Sequence, residues 1–268
     1  MFPSFHLHPD VLSLIAILGL GYWYLDARIR PLVAPIAPSA TRRERSAWYW
    51  GLAVLLFASG YPMHDLAEET LFSAHMLEHM LIGYVVPPLL IVGLSPWLAK
   101  YTTGREAVAR VLRPLAHPAV GFFAFNLTLV AIHWPEAVGW QNRAEWAHFA
   151  VHLFFFATAI LMWLPVFSPT PAIPRLSPPG RMLYLIANTL IPIVPASFIT
   201  FSDMQLYPSY GTAGSAWGLT PLEDQIIAGI IMKLGGTFYL LALIATIWFR
   251  WIGDERRWET IEHEMAAK

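Results

Sequence analysis

The chain has 268 residues, of which 56% are hydrophobic and 13% are charged, with a mean hydropathy of +0.50. A soluble domain carries about 25% charged residues, so this composition indicates an integral membrane protein surrounded by a lipid bilayer. The net charge of −1 gives no reason to expect a nucleic-acid partner. The chain has no cysteine, which excludes disulfides, thiolate metal sites and cysteine nucleophiles.

Seven apolar segments follow one another along the chain. We predict membrane-spanning helices at about 11–25, 48–61, 74–94, 118–134, 146–166, 182–201 and 222–251. Membrane helices need about 20 apolar residues, whereas the strands of a membrane barrel are alternating segments of about 10. The sequence therefore predicts an all-α, polytopic membrane protein, with residues 1–268 forming a single seven-helix bundle.

The basic residues are unevenly distributed among the connections. All of the 17 Lys and Arg residues except Arg143 and Lys233 follow the first, third, fifth and seventh segments or lie at their ends. Basic residues accumulate on the cytoplasmic side of membrane proteins. We therefore predict an N-terminus outside and a C-terminus in the cytoplasm.

Most of the ten histidines fall on the side that is predicted to face outward. These are His6, His8, His64, His75, His79, His133, His148 and His152. Two pairs have a spacing of four residues: His75 with His79, and His148 with His152. Residues four apart share one face of a helix, so the two pairs could supply three or four nitrogen ligands to one ion. Imidazole binds copper, zinc or iron, and thioether favours Cu(I).

Other side chains could contribute to such a site. Asp224, near the start of the last predicted helix, is either a further ligand or an acceptor that orients a histidine ring. Met76 and Met80 are candidate soft ligands at the mouth of the site. Lys233 lies deep in the last helix, where a lysine is costly and often functional, although it could also snorkel or pair internally. Isolated histidines near an interface, such as His6 and His8, are expected to contact water or headgroups.

Three alternatives remain open at this point. Histidines facing each other from two helices could be the axial ligands of a haem, which would make this a membrane redox protein. Lys233 and Asp224 could form a charge pair on the pathway of an ion or metal transporter. Residues 75–79 also match H-x-x-E-H, a zinc-protease pattern, but so short a pattern arises easily on a histidine-rich helix.

The stretch His75–Pro96, HMLEHMLIGYVVPPLLIVGLSP, resembles the seven-helix CtaG family of bacterial cytochrome c oxidase assembly factors. The pair His148 and His152 is similar to a second landmark of that family. A third is the sequence PLEDQ at 221–225, which is followed by AGIIM at 228–232. The resemblance covers roughly residues 61–251.

The resemblance implies a role in the maturation of a haem–copper oxidase by handling copper at the outer face of the bacterial plasma membrane. It implies oxidase subunits as partners and a binding function with no catalytic step. The positions that match the family are His75, His79, His148, His152, Asp224 and Met232. Lys233 stands where the family carries an aromatic residue. The unrelated single-span copper chaperone of the same name uses cysteines, which this chain lacks.

Overall fold

The computed structural model describes residues 5–141, 145–210 and 217–266, and within these ranges the chain is helical with no strand. Arg143 and Lys268, which entered the charge pattern, lie outside them. The helices in chain order are α1 (Pro9–Val33), α2 (Arg42–Ser59), α3 (Met63–Glu69), α4 (Phe72–Gly93), α5 (Pro96–Thr103), α6 (Glu106–Leu115), α7 (Pro118–Ile132), α8 (Pro135–Gln141), α9 (Glu145–Phe167), α10 (Pro178–Phe201) and α11 (Pro221–Ala266). Each predicted segment corresponds to one helix, and the all-α prediction is confirmed.

Five of the described helices are long and apolar enough to cross a membrane, namely α1, α4, α9, α10 and α11. A sixth span results if α6 and α7, which meet at a bend of 63°, are counted together. The chain is therefore a multi-pass helical membrane protein. Helix α2 has 18 residues and carries four charged side chains at its start, at positions 42–45. Because of these charges it falls outside the five, and the prediction of seven spans stays a prediction.

Helix α4 is the central helix of the bundle. It is the most buried of the long apolar helices, whereas α1 is the most exposed. Helices α2, α3, α9 and α11 pack around it. A Cβ atom on Gly93 would lie 2.5 Å from the backbone nitrogen of Trp48, so a glycine allows α4 and α2 to approach closely. This central position surrounds the histidines of α4 with other helices.

The first turn of α4 is held by a residue from α11. The Asp224 carboxylate accepts hydrogen bonds from the backbone N–H groups of Phe72, at 2.7 Å, and Ser73, at 3.1 Å. It also accepts one from the Ser73 hydroxyl. A carboxylate stabilises a helix N-terminus by pairing its free N–H groups. This contact explains why α4 begins at Phe72, two residues before the predicted start.

Helices also form where the sequence predicts only connections. Helix α3 follows α2 and carries His64 and Glu68 to the first turns of α4. On the same side, the Tyr207 hydroxyl donates to the His133 carbonyl at 2.7 Å, and the Tyr210 hydroxyl donates to the Ala67 carbonyl at 2.9 Å. Residues 207–210 are thereby fixed against the end of the bundle that contains the histidines.

A second buried polar cluster lies at the opposite end of α4. Asp26 of α1 accepts hydrogen bonds from the Ala40 N–H and from the Trp97 Nε1–H, both at 3.0 Å. The guanidinium groups of Arg30 and Arg45 each lie 3.6 Å from this carboxylate. Asp26 therefore joins α1, the connection after it, α2 and α5.

Candidate metal centre

The histidines that the sequence places on one side converge at the end of the bundle where α4 begins. Neighbouring ring centroids in this cluster are between 4.1 and 5.5 Å apart. The rings in contact are those of His8, His64, His75, His79, His133, His148 and His152. His6 joins the cluster through Asp65, which it shares with His8 at 3.1 Å each. His6 and His8 thus pair with a buried carboxylate, a contact that we did not expect, while the His6 side chain remains 54% exposed.

The deepest group, which we call the inner site, consists of His75, His79 and His152. Each offers a ring nitrogen within 4.8 Å of the others. His75 is completely buried, and neither of its ring nitrogens has a hydrogen-bonding partner among the described residues. The Nε2 atoms of His79 and His152 are 3.1 Å apart. Nitrogens bound about 2.0–2.1 Å from a tetrahedral ion lie roughly 3.4 Å from one another, so the spacing fits a small metal ion.

His133 borders the inner site. Its Nδ1–H donates to the Leu129 carbonyl at 2.7 Å, which leaves Nε2 as the nitrogen with a lone pair. That Nε2 is buried and has no partner among the described residues. The His133 ring is 5.1 Å from that of His79. His133 is thus oriented as metal-binding histidines usually are, by a backbone carbonyl on the other nitrogen.

A second group, which we call the mouth site, consists of His64, Glu68 and His148, with ligand atoms within 4.8 Å of one another. The Nε2 atoms of His64 and His148 lie 3.4 and 3.0 Å from the same Glu68 oxygen, Oε1. The Glu68 side chain is 35% exposed, so this group reaches the surface. Burial alone would lower the pKa of His64, but the hydrogen bond and the charge of Glu78 raise it to about 9.

Glu78 lies between the two sites and is completely buried. Its Oε1 accepts a hydrogen bond from His64 Nδ1 at 2.8 Å and is 3.8 Å from His152 Nδ1. Both histidines turn the opposite nitrogen, Nε2, toward their own site. A carboxylate behind a histidine fixes the orientation of a metal ligand and raises its basicity. In the sequence, Glu78 stands out only as the glutamate of H-x-x-E-H.

The two histidine pairs are close, and three of their four members meet at the inner site, in keeping with the three or four nitrogen ligands that the sequence suggested. His148 and His152 have ring centroids 4.1 Å apart, yet His152 faces the inner site and His148 faces Glu68. The division arises because α3, a helix that we did not predict, inserts His64 and Glu68 beside His148. His64 and Glu68 are four residues apart, like the members of each histidine pair. This spacing was the signal in the sequence that they share one face of a helix.

Asp224 and Lys233 lie outside both groups. The Asp224 oxygens bind the first turn of α4. Lys233 Nζ is 3.1 Å from the Ser197 hydroxyl oxygen and lies over the Phe201 ring, 4.8 Å from its centroid. The charge pair between Asp224 and Lys233 that the transporter interpretation requires is therefore absent from the described residues.

The three methionines that we singled out are packing residues in this structure. Met76 and Met232 are buried in the apolar core, and Met80 packs against it with its methyl group next to Gly236. The role of Met76 and Met80 as soft copper ligands stays a prediction, as does any part in the site for Met232, which the resemblance to the family singled out.

The fold defines a multi-pass helical membrane protein with a buried histidine centre. A family model described as cytochrome c oxidase caa3 assembly factor matches residues 17–254. The chain therefore belongs to the cytochrome c oxidase caa3 assembly factor family, and the resemblance to CtaG proteins is confirmed.

Curated relatives come from mycobacteria. Uncharacterized proteins of Mycobacterium bovis and Mycobacterium tuberculosis are each 25% identical to this chain over 234 residues, which is 79% of this chain and 34% of theirs. A protein of Mycobacterium leprae is 21% identical over 265 residues, covering 90% of this chain and 38% of its own length. The chain thus spans about a third of the length of these relatives. No solved structure matches it.

Proposed function

We propose that this chain binds copper at the inner site and delivers it to a subunit of a haem–copper cytochrome c oxidase during assembly. The observation that carries the proposal is His75, which is completely buried with both ring nitrogens unpartnered among the described residues, beside His79 and His152. Copper is the cargo of this function. The function requires only coordination and release, so no catalytic step is assigned to the protein.

The energetics of burial favour a bound ion. A buried polar group without a hydrogen bond costs about 1–3 kcal/mol, and the inner site gathers several such nitrogens in one place. A metal ion at the inner site would give one nitrogen of each ring that binds it a partner. Imidazole ligands suit copper, and they also suit zinc, so the identity of the metal has to be measured.

The spacing of His79 and His152 argues against a haem held between these two histidines. Axial nitrogens on opposite sides of one iron would be about 4 Å apart, if each bond is about 2 Å long. The Nε2 atoms of His79 and His152 are 3.1 Å apart. This separation matches neighbouring ligands of a small ion and is too short for opposite ligands of a porphyrin iron.

We also propose seven spans in a bacterial plasma membrane, with the histidine centre near the outer face. The distribution of Lys and Arg supports this orientation, and the oxidase assembly family supports the location. Because the chain has no cysteine, single-cysteine variants test the orientation directly. Met204→Cys should react with a membrane-impermeant maleimide in intact cells, whereas Ser39→Cys should react only after the cells are permeabilised. The reverse pattern would contradict the orientation.

The proposed function is tested by the metal content of the protein purified in detergent without added metal. We expect copper in the wild type and no haem absorption band, with the inner-site copper lost in His75→Ala/His79→Ala. The control is His263→Ala, an exposed position near the end of α11, which should retain all copper. Equal copper stoichiometry and affinity in the double variant and the wild type would contradict the proposal. Iron with a haem band would assign these histidines to a haem.

A further inference from the structure

We propose that His64, Glu68 and His148, the mouth site, bind a second ion of borderline divalent character, such as Cu²⁺, on the route to the inner site. The mouth site itself is inferred from its own geometry, whereas its place on a delivery route rests on the proposed function. The sequence predicted one ion shared by the two histidine pairs, and the structure divides their ligands into two groups.

The donor atoms of the mouth site converge on one point. The Nε2 atoms of His64 and His148, which come from different helices, both approach the Oε1 atom of Glu68. His148 is 5% exposed, and its Nδ1 has no partner among the described residues. Two imidazoles and one carboxylate are a common ligand set for divalent metals such as zinc, and imidazole also suits copper. The set differs from the inner site, which contains no carboxylate.

The exposure of the two sites gives their order. The Glu68 and His64 side chains are 35% and 16% exposed. In the inner site, His75 and His79 are at most 2% exposed and only His152, with a side chain 12% exposed, reaches further out. An ion that enters from this end of the bundle therefore meets the mouth site first. His148 and His152 lie one helical turn apart on α9, which is a rise of about 6 Å, so the step between the sites is short.

Glu78 links the two sites. Its Oε1 atom contacts the Nδ1 atom of His64, a ligand of the mouth site, and lies in ion-pair range of the Nδ1 atom of His152, a ligand of the inner site. An ion at either site changes the charge on the histidine that Glu78 supports. The two sites are thus coupled through one buried carboxylate.

The test is a Cu²⁺ titration of the metal-free, full-length protein in lipid nanodiscs, followed by metal counting and electron paramagnetic resonance. The mouth variant is Glu68→Gln/His148→Ala, and the inner variant is His75→Ala/His79→Ala. The matched control is Glu259→Gln/His263→Ala, the same residue types at exposed positions on α11. We expect two ions in the wild type and the control, and one ion in each site variant. Two ions at sites this close should broaden each other's spectra, and the broadening should vanish in both variants.

Each of the other titration results would contradict one of the two proposed sites, or both. One ion in the wild type that persists in the mouth variant would remove the mouth site and leave the proposed function intact. A single ion that is bound by the wild type and the inner variant but lost in the mouth variant would contradict the inner site. One ion that is lost in both variants would mean a single shared site, as the sequence alone predicted. An absence of binding in the wild type would overturn both proposals.

A conservative variant guards against loss of fold. Glu68→Gln keeps the size of the side chain and removes only the carboxylate. We expect roughly a tenfold or greater loss of affinity for the second ion, with the first ion and the melting temperature of the metal-free protein unchanged. Wild-type affinity for both ions in Glu68→Gln would contradict a role for this carboxylate as a ligand.

Discussion

At one end of the bundle, Asp26 accepts two hydrogen bonds at 3.0 Å and has two guanidinium groups nearby. At the other end, His75 is completely buried, but both of its ring nitrogens lack partners among the described residues. Buried polar groups in folded proteins are normally hydrogen-bonded. A satisfied cluster such as that of Asp26 stabilises the fold, whereas the unpartnered nitrogens of His75 are the observation on which the proposed metal site rests.

The largest effect should come from breaking the satisfied cluster. Asp26→Ala leaves the Ala40 N–H and the Trp97 indole N–H buried and unpaired, so we expect a loss of about 3 kcal/mol in the free energy of unfolding. Copper binding per folded molecule should not change. Denaturant unfolding in detergent measures the first quantity, and metal analysis of the folded fraction measures the second.

Glu106→Ala is the control for this experiment, because Glu106 pairs with Arg110 on the exposed face of α6. Exposed pairs contribute little to stability. If Asp26→Ala were as mild as Glu106→Ala, the Asp26 cluster would not have the structural role that its contacts imply.

The next effect concerns Glu78, the carboxylate shared by the two candidate sites. Glu78→Gln removes the charge behind His64 and His152, so we expect a 10–100-fold loss of copper affinity, the usual effect of losing such a partner. Competition with a chelator of known affinity measures it. Wild-type affinity in this variant would show that Glu78 does not support the ligands.

The pairing of His64 with Glu78 also predicts a pH dependence. Burial lowers the pKa of His64, but Glu78, with smaller contributions from Glu68 and Asp65, raises it to about 9, above the ordinary value of 6.5. A raised pKa means that the folded protein holds the proton more tightly than the unfolded chain does. The stability from this pair should therefore be full below pH 6.5 and disappear as the pH rises to 9. Melting curves of the metal-free protein should show this decline, and a pH-independent difference between wild type and Glu78→Gln would contradict it.

A substitution at the inner site should have a smaller effect on the stability of the metal-free protein, and in the opposite direction. His75→Leu replaces an unpartnered imidazole with an apolar side chain of similar size, so the metal-free protein should be as stable as the wild type or about 1 kcal/mol more stable. Copper binding at the inner site should be lost. A strong destabilisation of the metal-free protein would place His75 in the same structural class as Asp26.

The smallest effect is expected for Lys233→Met. Lys233 contacts Ser197 and Phe201 and lies outside both candidate sites. We expect unchanged copper binding and a change in stability within about 0.5 kcal/mol, because the loss of these two contacts is offset by the removal of a costly charge from a membrane helix. A loss of copper binding would contradict this expectation and support the transporter interpretation, in which Lys233 lies on an ion pathway.

The local patterns in the sequence were sufficient for much of the fold and part of the site. Apolar length indicated the helices, and the spacing of four residues placed His75 beside His79 and His148 beside His152, because these relations depend only on the geometry of a single helix. Contacts between helices are different, since they depend on packing. The separation of His148 from His152 and the position of Glu78 between the sites required the three-dimensional structure.

Asp224 also shows that contacts between helices could not be predicted from local sequence patterns. Its place at the start of the last helix marked it as a polar residue of interest, and a ligand role was a reasonable expectation. The carboxylate instead binds the first turn of α4, a contact between residues about 150 positions apart in the chain. No local pattern encodes such a pairing. Helix α3 was likewise missed because it has only seven residues and is polar.

The most direct test of the inner site is X-ray absorption spectroscopy of the protein carrying a single copper ion, in the mouth variant Glu68→Gln/His148→Ala. We predict a first shell of imidazole nitrogens from His75, His79 and His152, without sulfur and without a carboxylate ligand. A shell dominated by methionine sulfur, or one that persists unchanged in His75→Ala/His79→Ala, would contradict the assignment of copper to the inner site.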